Sequence, residues 1–215
     1  ATHAGEIRFV VEGALDGLTG LKKLVIQCDP AIIPAGVFAN LPALSDVTVE
    51  FGAIPAHMFE GSGVTVLTLG AGVTEIGDSA FANTALTSAE MQNVTAIGAG
   101  TFANTALTSA EIQNVTAIGA GAFEGSALER VQLNAAASVG ERAFANTKLT
   151  KMVIPTAGSF PLSAVEGTSA ELRLPADATD EQLAAWNETL QRPWYDPMLR
   201  EGEVSKFVKM PFEPT

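Results

Sequence analysis

Two adjacent segments of this chain, ANTALTSAEMQNVTAIGAGTF (82–102) and ANTALTSAEIQNVTAIGAGAF (103–123), differ at only two positions: Met91 stands against Ile112, and Thr101 against Ala122. A tandem copy this close makes a 21-residue segment the structural unit. A period of about 20–29 residues is the signature of a solenoid, in which each unit buries its apolar face on the next. The aromatic that closes the unit extends the pattern. Phe38, Phe59, Phe81, Phe102, Phe123 and Phe144 fall 21, 22, 21, 21 and 21 residues apart. A further step of 21 reaches Val165 and a step back of 23 reaches Leu15, which gives eight marks.

Other columns keep this register. Val10, Ile33, Ile54, Ile76, Ile97, Ile118, Val139 and Phe160 stand five residues before each mark. Gly17, Asn40, Gly61, Asn83, Asn104, Gly125, Asn146 and Gly167 stand two after it. Gly and Asn are the residues that tolerate positive φ, so this column predicts a left-handed turn in every coil. A second turn column, Pro34, Pro55, Gly77, Gly98, Gly119, Gly140 and Pro161, suggests a bend whose amide need not donate to a ladder.

Between turns lies a strand signal. Leu107, Ala110 and Ile112 occupy first, fourth and sixth place, as do Leu21/Leu24/Ile26, Leu44/Val47/Val49, Val64/Leu67/Leu69, Leu86/Ala89/Met91, Leu128/Val131/Leu133 and Leu149/Met152/Ile154. Alternation points these side chains inward and the polar ones outward, and stacked coils align the segments as a parallel sheet. Each Phe is expected to stack on its neighbours in the core.

The run Leu-x-x-Ala-x-Ile-x-x-Val-x-x-Ile-Gly-x-x-Ala-Phe at 107–123 resembles the BspA-like, or treponemal-type, leucine-rich repeat. The similarity covers about residues 15–175, with Val-Thr-x-Ile-Gly-x-x-x-Phe at 73–81, 94–102 and 115–123. Ser62, Thr84, Thr105, Ser126, Thr147 and Thr168 stand where that family carries Cys, and the unit is shorter than the family's. The resemblance implies an α/β repeat solenoid: a right-handed coil with a parallel β-sheet on one face and short strands and helical turns on the others. It also implies a bacterial, extracytoplasmic setting and adhesive or ligand-binding roles.

The ends differ from the coils. Residues 1–14, with Ile7 and Val10 in the register of Val115 and Ile118, read as an N-terminal half coil that caps the core. Residues 15–175 are the coils, and 176–215 change character. Asp177 and Thr179 offer N-cap acceptors, Leu183, Trp186 and Leu190 follow at helical spacing, and Pro193 ends the run. A C-terminal cap helix and tail are expected there, with Trp194 and Tyr195 either covering the last rung or offering an aromatic surface to a partner.

Composition narrows the function. Twelve basic against 24 acidic residues give a formal charge of −12. Nucleic acid and anionic membranes need a basic footprint, so neither is expected as a partner. No apolar run reaches membrane-spanning length. The one cysteine, Cys28, is expected to be a buried or half-buried thiol. His3 and His57 are the only histidines, and His57 falls in a turn column with Gly36, Ser79, Gly100, Gly121, Arg142 and Ser163. No metal-ligand spacing or phosphate-binding glycine motif occurs, so no enzyme, cofactor or metal is expected.

The outward strand positions are the candidate site. Ser88, Ser109, Arg130 and Lys151 make one column; Glu90 and Glu111, flanked by Gln132, a second; Gln92 and Gln113 a third. Paired carboxylates one rung apart suit a cation or a basic side chain, with Arg130 expected to shield Glu111. A glycosidase also uses two carboxylates, but nothing in the sequence separates their environments. The expected ligand is a protein, with a basic partner as the sharper alternative, ahead of a glycan. The alternative is a self-associating structural protein that uses the aromatic tail or the Ala-rich turns at Ala96, Ala99, Ala117 and Ala120.

Overall fold

A computed structural model describes residues 19–27, 29–134, 137–154, 160–173, 179 and 194–195. Cys28, residues 1–14 and nearly all of 176–215 lie outside it. The described chain is a β-solenoid of about six turns with parallel strands.

The front of each coil contributes one strand. β1 (Lys23–Ile26), β2 (Asp46–Phe51) and β3 (Val66–Gly72) form a three-stranded sheet. β5 (Ser88–Glu90), β7 (Ser109–Glu111), β9 (Arg130–Val131), β11 (Lys151–Val153), β12 (Glu171–Arg173) and β13 (Trp194–Tyr195) form a six-stranded one. A second layer holds the two-residue strands β4 (Glu75–Ile76), β6 (Ala96–Ile97), β8 (Ala117–Ile118) and β10 (Ser138–Val139). Every pairing is parallel, and residues one repeat apart are partners: Ser88 faces Ser109, and Ile97 faces Ile118.

That register follows from alternation. Leu24 and Ile26, Val47 and Val49, and Ala89 and Met91 turn inward and are buried, as is the Ile column from Ile33 to Val139. The six phenylalanines make the spine of the core. Each is fully buried, with ring centroids 5.7, 5.2, 5.7, 5.3 and 5.4 Å apart in succession. Interplanar angles stay between 6° and 17°, so the rings stack nearly parallel. Burial of one such side chain stabilises by about 1.5–3 kcal/mol, and an aromatic pair adds about 0.5–1.5 kcal/mol.

The turns are not helical. Among the described residues no α-helix occurs; the only helical pieces are 3-10 turns at Pro30–Ile32 and Leu162–Val165. The chain bends instead through paired left-handed residues. The expected Gly/Asn column is left-handed at all seven described positions, from Asn40 (φ 56°) to Gly167 (φ 69°). A second left-handed column precedes Phe by two: Gly36, His57, Ser79, Gly100, Gly121 and Arg142, with φ of 71, 59, 52, 61, 61 and 57°. Two such residues flanking each Phe reverse the chain without a helical turn, and the amides between them donate to the next coil, as Phe59 N does to Ala80 O at 2.8 Å. The α/β expectation is therefore corrected to β with 3-10 turns over the described residues; the expected cap helix lies outside them.

The Gly/Pro column also departs from expectation. Where it holds glycine its amide does donate: Gly98 N to Ile76 O, Gly119 N to Ile97 O and Gly140 N to Ile118 O, each at 2.8 Å. Close approach is what glycine supplies here. A Cβ on Gly119 would sit 2.5 Å from the Ala99 backbone nitrogen.

Hydroxyls fill the position of the family's Cys. Ser62, Thr84, Thr105 and Thr147 donate to the carbonyl of the Phe three residues back at 2.6, 2.8, 2.9 and 2.8 Å. Ser126 breaks the series, for its buried Oγ has no partner among the described residues. Thr101, one of the two positions that distinguish the tandem copies, donates to Gly98 O at 2.9 Å and Gly77 O at 3.0 Å. A buried hydroxyl with carbonyls in reach is tolerated, so this site accepts Thr in one coil and Ala in the next.

Candidate functional site on the strand face

The outward side chains of the front sheet fall into columns because parallel strands one repeat apart pair residue for residue. Ser88, Ser109, Arg130 and Lys151 are Cα partners in sequence and all are exposed. Glu90 pairs with Glu111 on the adjacent rung, and both are exposed. Gln92, Gln113 and Gln132 are exposed just beyond the strand ends. The structure thus brings the candidates on 88–151 onto one face. The backbone of Trp194–Tyr195 pairs with β12 (Leu172 with Trp194, Arg173 with Tyr195) and adds a further rung, where the sequence leaves open a cover for the last rung or an aromatic surface for a partner.

The expected shield does not form. Among the described ion pairs none joins Arg130 to Glu111. The pairs lie elsewhere. Lys23 Nζ meets Asp46 Oδ2 at 2.8 Å between the first two rungs. At the turn edge Arg142 Nη2 meets Glu124 Oε1 at 2.6 Å, its Nε lies 3.3 Å from Glu124 Oε2, and its Nη1 contacts Glu166. The hydrogen bond that Arg142 donates to Glu124, then the charges of Glu124 and Glu166, hold the guanidinium pKa above its ordinary value. This clamp spans three coils and fixes Arg142 in its left-handed turn. His57, expected as a solvated turn residue, is exposed and left-handed, with Nδ1 2.7 Å from Glu60 Oε2. Sequence reading missed both clusters because their partners come from different turn columns.

The face has a discontinuity. No backbone hydrogen bond joins residues 64–70 to 86–92, so β3 and β5 lie in separate sheets. The cause is local. From Leu69 to Val73 is four residues, whereas from Met91 to Val94 is three; the extra residue lies in the Gly-Ala-Gly at 70–72 and lengthens the step from Phe59 to Phe81 to 22. β3 runs on to Gly72, pairing there with Phe51 across a bulge in β3 itself, while β5 stops at Glu90.

Among the described residues no group of three or more His, Cys, Asp or Glu could hold a metal ion. No helix there is long and apolar enough to cross a membrane. The arrangement offers an extended polar surface. No curated protein and no solved structure matches the chain. A family model described as BspA type Leucine rich repeat region matches residues 52–166 in six copies. That family is generally a non-catalytic repeat scaffold whose repeats commonly mediate protein interaction. With more than half of its 215 residues covered by that repeat, the chain belongs to the BspA-type leucine-rich repeat family.

Proposed function

We propose that this protein is a non-catalytic scaffold that binds a protein partner through its strand face, in an extracytoplasmic and adhesive role such as attachment to a host or matrix protein. The observation that carries this reading is the stacked, exposed carboxylate pair Glu90 and Glu111, presented in register on consecutive rungs. A repeat array binds through many such contacts spread over one surface. Family membership supports the interaction role and is the sole support for location. On the same reading the coil is right-handed, the sense that parallel crossovers adopt. Residues 1–14 cap one end, a helix within 176–215 covers the other, and 15–175 form the coils between them.

The test is to reverse both charges, Glu90→Lys with Glu111→Lys, and measure binding to a partner captured from the native environment. The reading expects the affinity to fall by about tenfold or more, since like charges then meet a surface selected for the opposite sign. Unchanged binding removes the face from consideration.

A further inference from the structure

Three rows of backbone hydrogen bonds tie each coil to the next. On the turn edge the Phe amides donate to the following coil; around the seam Phe59 N meets Ala80 O at 2.8 Å and Phe81 N meets Thr101 O at 3.0 Å. In the second layer Gly77 N donates to Ile54 O and Gly98 N to Ile76 O, both at 2.8 Å. On the front, the amide just before each strand donates to its equivalent one coil back. Ser45 N reaches Lys22 O and Thr65 N reaches Ser45 O at 3.0 Å. Thr108 N reaches Thr87 O and Glu129 N reaches Thr108 O at 3.1 Å, and Thr150 N reaches Glu129 O at 3.3 Å. The member missing among the described bonds is Thr87 N to Thr65 O, and it falls between β3 and β5.

The seam is therefore open on the front and tied on the other two sides. A cleft of about 90 Å³ lies in the opening, with Leu69, Gly70 and Val73 on one wall and Met91, Gln92 and Val94 on the other. That volume admits water, the partner left to strand-edge amides and carbonyls without a ladder. Bending the array between β5 and β7 would pull apart the pairs Ser88–Ser109, Ala89–Ala110 and Glu90–Glu111. Each hydrogen bond lost there shifts the opening equilibrium by about fivefold. Bending at the seam breaks no front ladder. The core behind sets the limit: Leu67 and Ala89, at equivalent positions in the two coils, are buried, and exposing them is unfavourable, so the front opens only as a narrow wedge.

We infer that the seam is a one-sided hinge: the coils that carry β1, β2 and β3 and the coils that carry β5 onward pivot as two blocks about the intact second-layer and turn-edge rows. Packed structures move in this way, as rigid units about a few residues that absorb the change. The continuous rows keep the ring stack closed, with Phe59 and Phe81 5.2 Å apart and Phe81 and Phe102 5.7 Å apart. What changes is the angle between the two parts of the strand face, at the step from Val66 and Thr68 to Ser88 and Glu90. The cause in the sequence is the additional residue in Gly70-Ala71-Gly72. The hinge itself is independent of the strand-face reading; only its use rests on that reading, since a partner that touches both blocks meets a surface of adjustable curvature.

The experiment is nitroxide pair EPR on the full chain in frozen solution, which traps the spread of angles, in a Cys28→Ser background. One pair, Val66→Cys with Arg130→Cys, spans three rungs and crosses the seam; the other, Ser88→Cys with Lys151→Cys, spans three rungs and does not. All four positions are exposed, and both mean backbone separations are about 14 Å from the rung spacing. The pair across the seam is expected to give a distance distribution roughly twice as broad as the other, as pivoting blocks do. Equal widths overturn the inference. Deleting Ala71 brings the step from Phe59 to Phe81 back from 22 residues to 21 and should narrow the first distribution to match the second. A folded deletion variant that stays broad overturns the assignment to the additional residue, and if the variant does not fold, the first comparison still decides. Both measurements are made without a partner, so neither bears on the strand-face reading, which stands or falls on the double charge reversal.

Discussion

Replacing Phe102 with alanine is expected to lower the unfolding free energy by about 3–5 kcal/mol, the cost of a lost aromatic side chain plus the cavity it leaves. The ring is fully buried and stacks on two others, Phe81 at 5.7 Å and Phe123 at 5.3 Å. Collapse cannot close the gap cheaply, because the backbone of each coil is hydrogen-bonded to its neighbours: Phe81 N donates to Thr101 O at 3.0 Å and Phe102 N to Ala122 O at 2.7 Å. A cavity held open in this way keeps its full energetic cost. Since repeat proteins are stabilised by nearest-neighbour interfaces, the loss falls on two interfaces at once. Urea melts of the two proteins measure it directly. A difference under about 1 kcal/mol would show that the ring is not a supporting element.

Strands β5 and β7 are expected to differ in amide exchange although their sequences are the same. Residues 85–90 and 106–111 both read Ala-Leu-Thr-Ser-Ala-Glu, so intrinsic exchange rates match. Their positions in the stack do not. β7 has a paired strand on each side, whereas β5 pairs only with β7 and faces the seam on its other edge. Amides that face the seam lack a ladder acceptor. Losing one hydrogen bond of about 1–1.5 kcal/mol corresponds to roughly tenfold faster exchange. Peptides covering 86–92 and 107–113, followed by mass spectrometry, should therefore show clearly lower protection in the first. Equal protection would mean that the ladder is continuous and that no seam exists in solution.

Much of this architecture was legible in the residues because the unit repeats. A column of six phenylalanines at nearly constant spacing admits one explanation, a shared interior, and the rings do stack there. The Gly/Asn column was equally plain, since only those residues reach positive φ at low cost. The second left-handed column was hidden because Ser79, His57 and Arg142 disguise it among glycines. A non-Gly residue there stores strain, and for His57 and Arg142 the contacts to Glu60, Glu124 and Glu166 offset it. Those partners are apparent only once the turn columns are folded beside each other. The Gly/Pro column misled for a related reason: composition suggested an idle amide, but the real constraint is the neighbouring backbone.

The candidate face was half legible. Alternation placed Ser88, Glu90, Ser109, Glu111, Arg130 and Lys151 outward, and the register brought them into columns. It did not decide which charges touch, because that depends on the direction each long side chain takes. Arg130 stands in the column of Ser109, not of Glu111. The seam was visible as a single interval of 22 among 21s, but one additional residue in a Gly-rich corner does not reveal which ladder it opens.

The claim beneath all of this is that successive units coil alike, so that equivalent rings line one interior. Aromatic NOEs in a sample with labelled phenylalanine test it most directly. Cross-peaks linking Phe81 to Phe102 and Phe102 to Phe123 are expected, since these centroids lie 5.7 and 5.3 Å apart with interplanar angles of 6° and 17°. Rings that show no mutual cross-peaks and exchange magnetisation with solvent instead would contradict the stacked solenoid, and with it the face built on its outer side.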